Sequence, residues 1–114
     1  MEIQGDEYQV VYNPTTSTVN IKGVLRLRGI TEYNQIVQTL NDVAAEKSDT
    51  ITVDLRELEF LNSSGINILF KFVVRVRELA SSNLVVRGSS QIPWQQKSLN
   101  NLPRLMADVK LEWE

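Results

Sequence analysis

Val53-Asp54-Leu55-Arg56-Glu57-Leu58-Glu59-Phe60-Leu61-Asn62-Ser63-Ser64-Gly65-Ile66-Asn67-Ile68-Leu69 changes its hydrophobic period partway along. At its start, Ile51-Thr52-Val53-Asp54-Leu55 is short, alternating and rich in β-branched residues, the pattern of a central strand. Beyond Asn62-Ser63-Ser64-Gly65 the spacing becomes helical and runs to about Leu79. Asn67, Lys71, Arg75 and Glu78 share a narrow polar face, while Ile66, Ile68, Leu69, Phe70, Phe72, Val73, Val74, Val76 and Leu79 fill the remainder. That apolar arc is wider than one sheet contact requires. Either the helix is wedged between the sheet and a neighbouring helix, or its flank at Ile68 or Val74 meets a partner.

Toward the N-terminus, Tyr8-Gln9-Val10-Val11-Tyr12 reads as a strand, and Asn13 to Ser17 supplies turn chemistry before a second, longer strand. There Val19, Ile21, Gly23, Leu25 and Leu27 alternate with Asn20, Lys22, Val24, Arg26 and Arg28, so one sheet face is buried. Glu32 to Lys47 predicts an amphipathic helix with Thr31 as N-cap, because Tyr33, Ile36, Val37, Leu40, Val43 and Ala44 recur at three- and four-residue steps. Toward the C-terminus, Asn83 to Arg87 predicts a strand ended by Gly88. Pro93 suits the first turn of a helix reaching about Asn101, Pro103 breaks it, and Val109, Leu111 and Trp113 mark a charged edge strand. The expected order is β-β-α-β-α-β-α-β: a single α/β domain over residues 1–114, with a mixed sheet of about five strands backed by three or four helices.

The chain's 114 residues include no Cys and no His. Thiol nucleophiles, disulfides, Cys-based metal sites and the Ser-His-Asp triad are therefore excluded, and no Ser-x-x-Lys occurs as an alternative. The chain is expected not to be an enzyme and to need no cofactor or metal. A net charge of −2 and a pI near 5.2 argue against a nucleic-acid backbone binder. The polar, acidic start is unlike a secretory signal, and the longest mainly apolar run, Ile66 to Val76, is interrupted by Asn67, Lys71 and Arg75. A cytoplasmic protein with no membrane contact is expected. Arg26, Arg28, Arg75 and Arg77 read as solvated faces, Glu57 and Glu59 as a solvated turn, and Trp94 and Trp113 as packing residues.

The central seventeen residues resemble the STAS domain of anti-sigma-factor antagonists, where a strand ending in Asp-Leu leads through a Phe to Asp-Ser-Ser-Gly at the mouth of an apolar helix. Here Asp54-Leu55, Phe60 and Ser63-Ser64-Gly65 match, and Ile21-Lys22-Gly23-Val24-Leu25 resembles the family's glycine-containing second strand. The resemblance implies a bacterial signal-transduction protein of transcription regulation that works by partner switching. Ser63 would be the phosphoacceptor of a GHKL-type serine kinase or anti-sigma partner, and a PP2C-type phosphatase would reverse the modification. Asn62, Ser64, Gly65, Asn67, Ile68 and Arg26 would contribute to the partner surface, with Gly65 letting a partner backbone approach closely. A homodimer is left open.

Two positions depart from the family pattern. Asn62 replaces the motif's leading acid, and Arg26 stands where an acid often follows the second-strand glycine. Asn caps a helix about as well as Asp, so the fold is unaffected. A kinase expecting carboxylates would lose contacts there, while Arg26 offers a pairing group for an acidic partner or a phosphate. The alternatives are a divergent subfamily with its own matched kinase, or a STAS-like scaffold in which Ser63 only caps a helix.

Overall fold

In the computed structural model, which describes residues 1–114, the chain runs β1 (Glu2–Gln4), β2 (Tyr8–Asn13), β3 (Thr18–Leu25), α1 (Gly29–Ala45), β4 (Thr50–Asp54), β5 (Leu58–Leu61), α2 (Ser63–Leu79), β6 (Asn83–Gly88), α3 (Pro93–Leu99), α4 (Leu102–Leu105) and β7 (Lys110–Trp113). The sheet order is β1-β2-β3-β4-β6-β7, with β5 beside β3. The β1, β2 and β3 strands form an antiparallel meander, and every later pairing is parallel.

Strand β3 forks the sheet. Its first half, Thr18 to Asn20, pairs with β4, and its second half, Gly23 to Leu25, pairs with β5 after an irregularity between Gly23 and Val24. Gly23 has φ +94°, a conformation a side chain resists, and the Val24 N–H donates to the Glu7 carbonyl at 2.8 Å. The fork carries the chain from the sheet centre to the start of α2, because Leu25 lies opposite Leu61 and its carbonyl accepts the Asn62 N–H at 3.1 Å.

Alternation along the strands decides which face is covered. Val10, Tyr12, Val19, Ile21, Ile51, Val53, Leu84 and Val86 are buried, whereas Val11, Asn20, Thr52, Val85 and Arg87 are only half-buried. The buried face joins Tyr33, Ile36, Leu40 and Val43 of α1 and Ile68, Leu69, Phe72, Val73 and Val76 of α2 in one apolar core. Helix α2 lies between α1 and α4 over the sheet, which accounts for its wide apolar arc.

The sheet has seven strands where about five were expected. Strand β1 has one apolar residue in three, too short for any period, and β5 lies in a stretch of mixed polarity whose strand character comes from pairing with β3. Helix α1 begins at Gly29 rather than after Thr31. Gly29 turns the chain with φ +63°, and the Glu32 carboxylate accepts the Arg28 N–H at 3.1 Å, taking the part expected of a Thr31 cap. It ends at Ala45, with Lys47 left-handed just beyond. Pro103 sits in the first turn of α4 rather than between elements, since a proline there removes an N–H that has no intrahelical partner.

Candidate functional site

The Asn62-Ser63-Ser64-Gly65 turn is built around one amide. Asn62 is the N-cap of α2, and its Oδ1 accepts the Gly65 N–H at 3.0 Å. The Tyr33 hydroxyl donates to the same oxygen at 2.7 Å, and Asn62 Nδ2 donates to the Leu27 carbonyl at 2.8 Å. One side chain thus ties the β3–α1 connection, α1 and the head of α2 together. Burial raises the Tyr33 pKa, so its hydroxyl keeps its proton and its role as donor.

Both ends of the amide are used, the oxygen accepting twice and the nitrogen donating once. An Asp at position 62 would keep the cap but face the Leu27 carbonyl with a second oxygen instead of an N–H. Asn62→Ala is expected to cost about 2–4 kcal/mol, because it removes the cap and strands the Tyr33 hydroxyl and the Leu27 carbonyl. Asn62→Asp is expected to cost about 1–2 kcal/mol at neutral pH through the lost donor. Urea midpoints measure both, and an Asp variant as stable as wild type would show that the Leu27 bond contributes nothing.

Ser63 is the first residue of α2, exposed, with no hydrogen bond of the chain engaging its hydroxyl. Ser64 is half-buried and Asn67 exposed one turn on. Gly65 is buried. A Cβ there would lie 2.3 Å from Leu61 Cδ1 and 2.7 Å from the Tyr33 hydroxyl, so the chain's own packing requires this glycine, not an approaching partner backbone. Ile68 is buried in the core. Arg26 is exposed but engaged, its guanidinium held by both carboxylate oxygens of Glu7, with Nε to Oε2 at 2.9 Å. It is therefore not a free cation awaiting a phosphate.

Two further groups organise the chain segment that precedes this turn, between β4 and β5. Asp54 is buried, and Arg56 clamps it through its own N–H at 3.1 Å and its guanidinium at 2.8–3.2 Å, while a third arm reaches Glu114 at 2.9 Å. Burial pushes the Asp54 carboxyl up, but the Arg56 hydrogen bonds and charge, with Arg87, outweigh it and leave it below the ordinary value. A depressed folded-state pKa stabilises the protein above the unfolded pKa and is lost as pH falls through the folded one. Stability should therefore fall below about pH 4. Asp54→Asn should flatten that acid limb in thermal melts across pH, and an unchanged limb would place the acid sensitivity elsewhere.

The second group is Gln95, which is fully buried. Its Oε1 accepts the Ser89 N–H at 2.8 Å, and its Nε2 donates to the Leu55 and Leu58 carbonyls at 2.7 and 2.9 Å. It fixes the turn between β4 and β5 against the β6–α3 loop, a role no sequence motif announces. No three His, Cys, Asp or Glu side chains converge as metal ligands, and no helix is long and apolar enough to cross a membrane.

No family model and no curated protein matches the sequence. Solved structures do match. A chain in the crystal structure of the diguanylate cyclase SiaD in complex with its activator SiaC, from Pseudomonas aeruginosa, superposes with a TM-score of 0.76 at 11% identity, covering 100% of this chain and 99% of that one. An anti-sigma factor antagonist from Mycobacterium paratuberculosis gives 0.70 at 17% identity, over 96% and 88% of the two chains. The Bacillus cell-fate determinant SpoIIAA in its phosphorylated form gives 0.58 at 19%, over 91% and 89%. At these identities the shared property is architecture: the chain has the STAS fold of the anti-sigma-factor antagonists.

Proposed function

We propose that this protein is an anti-sigma-factor-antagonist-like regulator that binds a GHKL-type serine kinase or anti-sigma partner and is switched by phosphorylation of Ser63, with a PP2C-type phosphatase resetting it. Its role is regulatory, in the cytoplasm, through protein–protein binding. Ser63 supports the proposal: an exposed, unengaged hydroxyl at the first position of α2, next to the Asn62 side chain whose oxygen and nitrogen are both engaged within the chain. The N–H groups of Ser63 and Ser64 have no helical partner, and the helix dipole favours negative charge there, so the domain itself tolerates a phosphate of about −1.5 to −2. In a partner interface the same group must be desolvated, and about 2.7 kcal/mol lost from binding weakens it about a hundredfold.

Asn62 and the Arg26–Glu7 pair give this surface a different charge from the family's acidic pattern, so its kinase is expected to be a matched one. The likeness to a chain of the complex between a cyclase and its activator supports a second reading, a STAS-like scaffold or interaction module that acts by binding alone, with Ser63 unmodified. Parallel capture from native-host lysate on wild-type, Ser63→Ala and Ser63→Asp baits separates the two, with the purified native protein analysed for phosphate on Ser63. A kinase retained by wild type and Ala but lost on Asp is the expected result. Identical retention on all three, with unmodified Ser63, supports the module.

A further inference from the structure

Charge is unevenly divided along this chain. From Asn62 to Ala107 it carries Lys71, Arg75, Arg77, Arg87, Lys97 and Arg104 against a single acid, Glu78, whereas the first 61 residues hold ten acids against five bases. The net charge of −2 conceals this division.

Two of these cations, Lys71 and Arg75, border a groove between the two long helices. Val37 and Leu40 of α1 and Ile68, Phe70 and Val74 of α2 line it, and Phe70 and Val74 are only half-buried despite being apolar. Lys71 and Arg75 stand on the α2 rim, exposed and in no ion pair, whereas Arg26, Arg56, Arg87 and Lys110 all have carboxylate partners within the chain. The α1 rim offers the neutral Asn41. Glu78 is the one acid bordering the groove, at the end away from Ser63. Ser63, Asn67, Lys71 and Arg75 follow at four-residue steps, each turned about 40° from the last, so Asn67 at the near end of the groove lies one turn from Ser63 while Arg75 has rotated about 120° away.

An apolar floor beside unneutralised cations is complementary to a helix with an apolar stripe and an acidic flank. We propose that this groove receives an acidic amphipathic helix from a partner protein, its apolar stripe on Val37, Phe70 and Val74 and its carboxylates toward Lys71 and Arg75. The proposal rests on α2 being the partner face and specifies the partner's chemistry. A phosphoryl group on Ser63 adds negative charge one turn from Asn67 at the near end of the groove and repels that acidic flank there. The apolar floor disfavours a nucleic-acid backbone. A second copy of this chain would bring its own Lys71 and Arg75 to the groove and not the acidic flank that these cations favour.

The test uses two synthetic helical peptides about five turns long with the same Leu and Ile stripe, one flanked by Glu and the other by Lys. Binding is followed by fluorescence anisotropy at low and high salt. Wild type should prefer the Glu peptide by about tenfold, with the preference shrinking as salt rises. Lys71→Glu with Arg75→Glu should reverse the preference, Val74→Asp should weaken both peptides, and Ser63→Asp should weaken the Glu peptide severalfold. These positions are exposed or half-buried, and thermal melts verify that the variants fold. Equal binding of both peptides, a preference that survives the double reversal, tighter binding of a single-stranded oligonucleotide, or dimerisation abolished by Val74→Asp would each overturn the proposal. Loss of the peptide preference while Ser63 baits still separate in lysate refutes the acidic helix and leaves the phosphoswitch standing; the reverse outcome refutes only the switch.

Discussion

Gly23→Ala is expected to cost about 3–5 kcal/mol, a large part of the stability of a domain this size. At φ +94° an added Cβ would stand 2.2 Å from the Glu7 carbonyl oxygen and 2.9 Å from Tyr8 Cα, both backbone atoms that no rotamer change can move aside. Relief requires β2 and β3 to separate where Val24 N–H meets Glu7 O, and Gly23 N–H would also pull away from the Glu57 carbonyl, 3.0 Å off. The melting temperature should fall by roughly 4 °C per kcal/mol. The effect should extend to the turn at the head of α2, because β3 sets the Leu25–Leu61 pairing that places Asn62. Loss of protection at the Asn62 and Gly65 amides in hydrogen exchange would register this, and a variant melting within a few degrees of wild type would refute the backbone clash.

Gln95→Glu is the second large effect, with a distinctive pH dependence. The new carboxylate would be buried with an oxygen facing the Leu55 and Leu58 carbonyls, where the amide now donates to both. It ionises only at great cost, so its folded-state pKa rises, and a rise of three units alone corresponds to about 4 kcal/mol at neutral pH. For a raised folded-state pKa, the stabilising proton is in place at low pH and lost as pH rises through the folded value. The deficit against wild type should therefore shrink on acidification toward pH 5 and widen toward pH 8. Gln95→Leu, which strands the Ser89 N–H, should be destabilised by a few kcal/mol at every pH. If the Glu and Leu variants share one pH profile, the buried donor pair is not what holds this turn.

These two residues also show what the sequence conceals. Gln95 is a polar residue one step after Pro93-Trp94, with nothing in its spacing to set it apart. Its importance arises from carbonyls about forty positions upstream that need a donor after the turn has folded. Likewise, the strand character of β5 depends on a partner across the Gly23 irregularity and not on its own alternation. Helix α2 was legible because its period, its capping Asn62 and its length act locally, and structure and expectation agree on Ser63 to Leu79. The place of Ser63 at the exposed head of that helix was legible for the same reason. The candidate site was not legible at Gly65, whose neighbours Tyr33 and Leu61 give the glycine an internal purpose, nor at Arg26, whose partner Glu7 comes from the other arm of the meander.

Trp94 donates its indole N–H to the Leu58 carbonyl at 3.1 Å and is half-buried over the turn that leads into β5, whereas Trp113 is 37% exposed on the edge strand beside Gly88. The molecule therefore has two intrinsic fluorophores in different surroundings, one about thirty residues from Ser63 in sequence but against the segment that supports it. Iodide should quench Trp113 preferentially, leaving Trp94 emission as a label-free optical signal of movement in the β4–β5 turn when Ser63 is modified or the α1–α2 groove is filled.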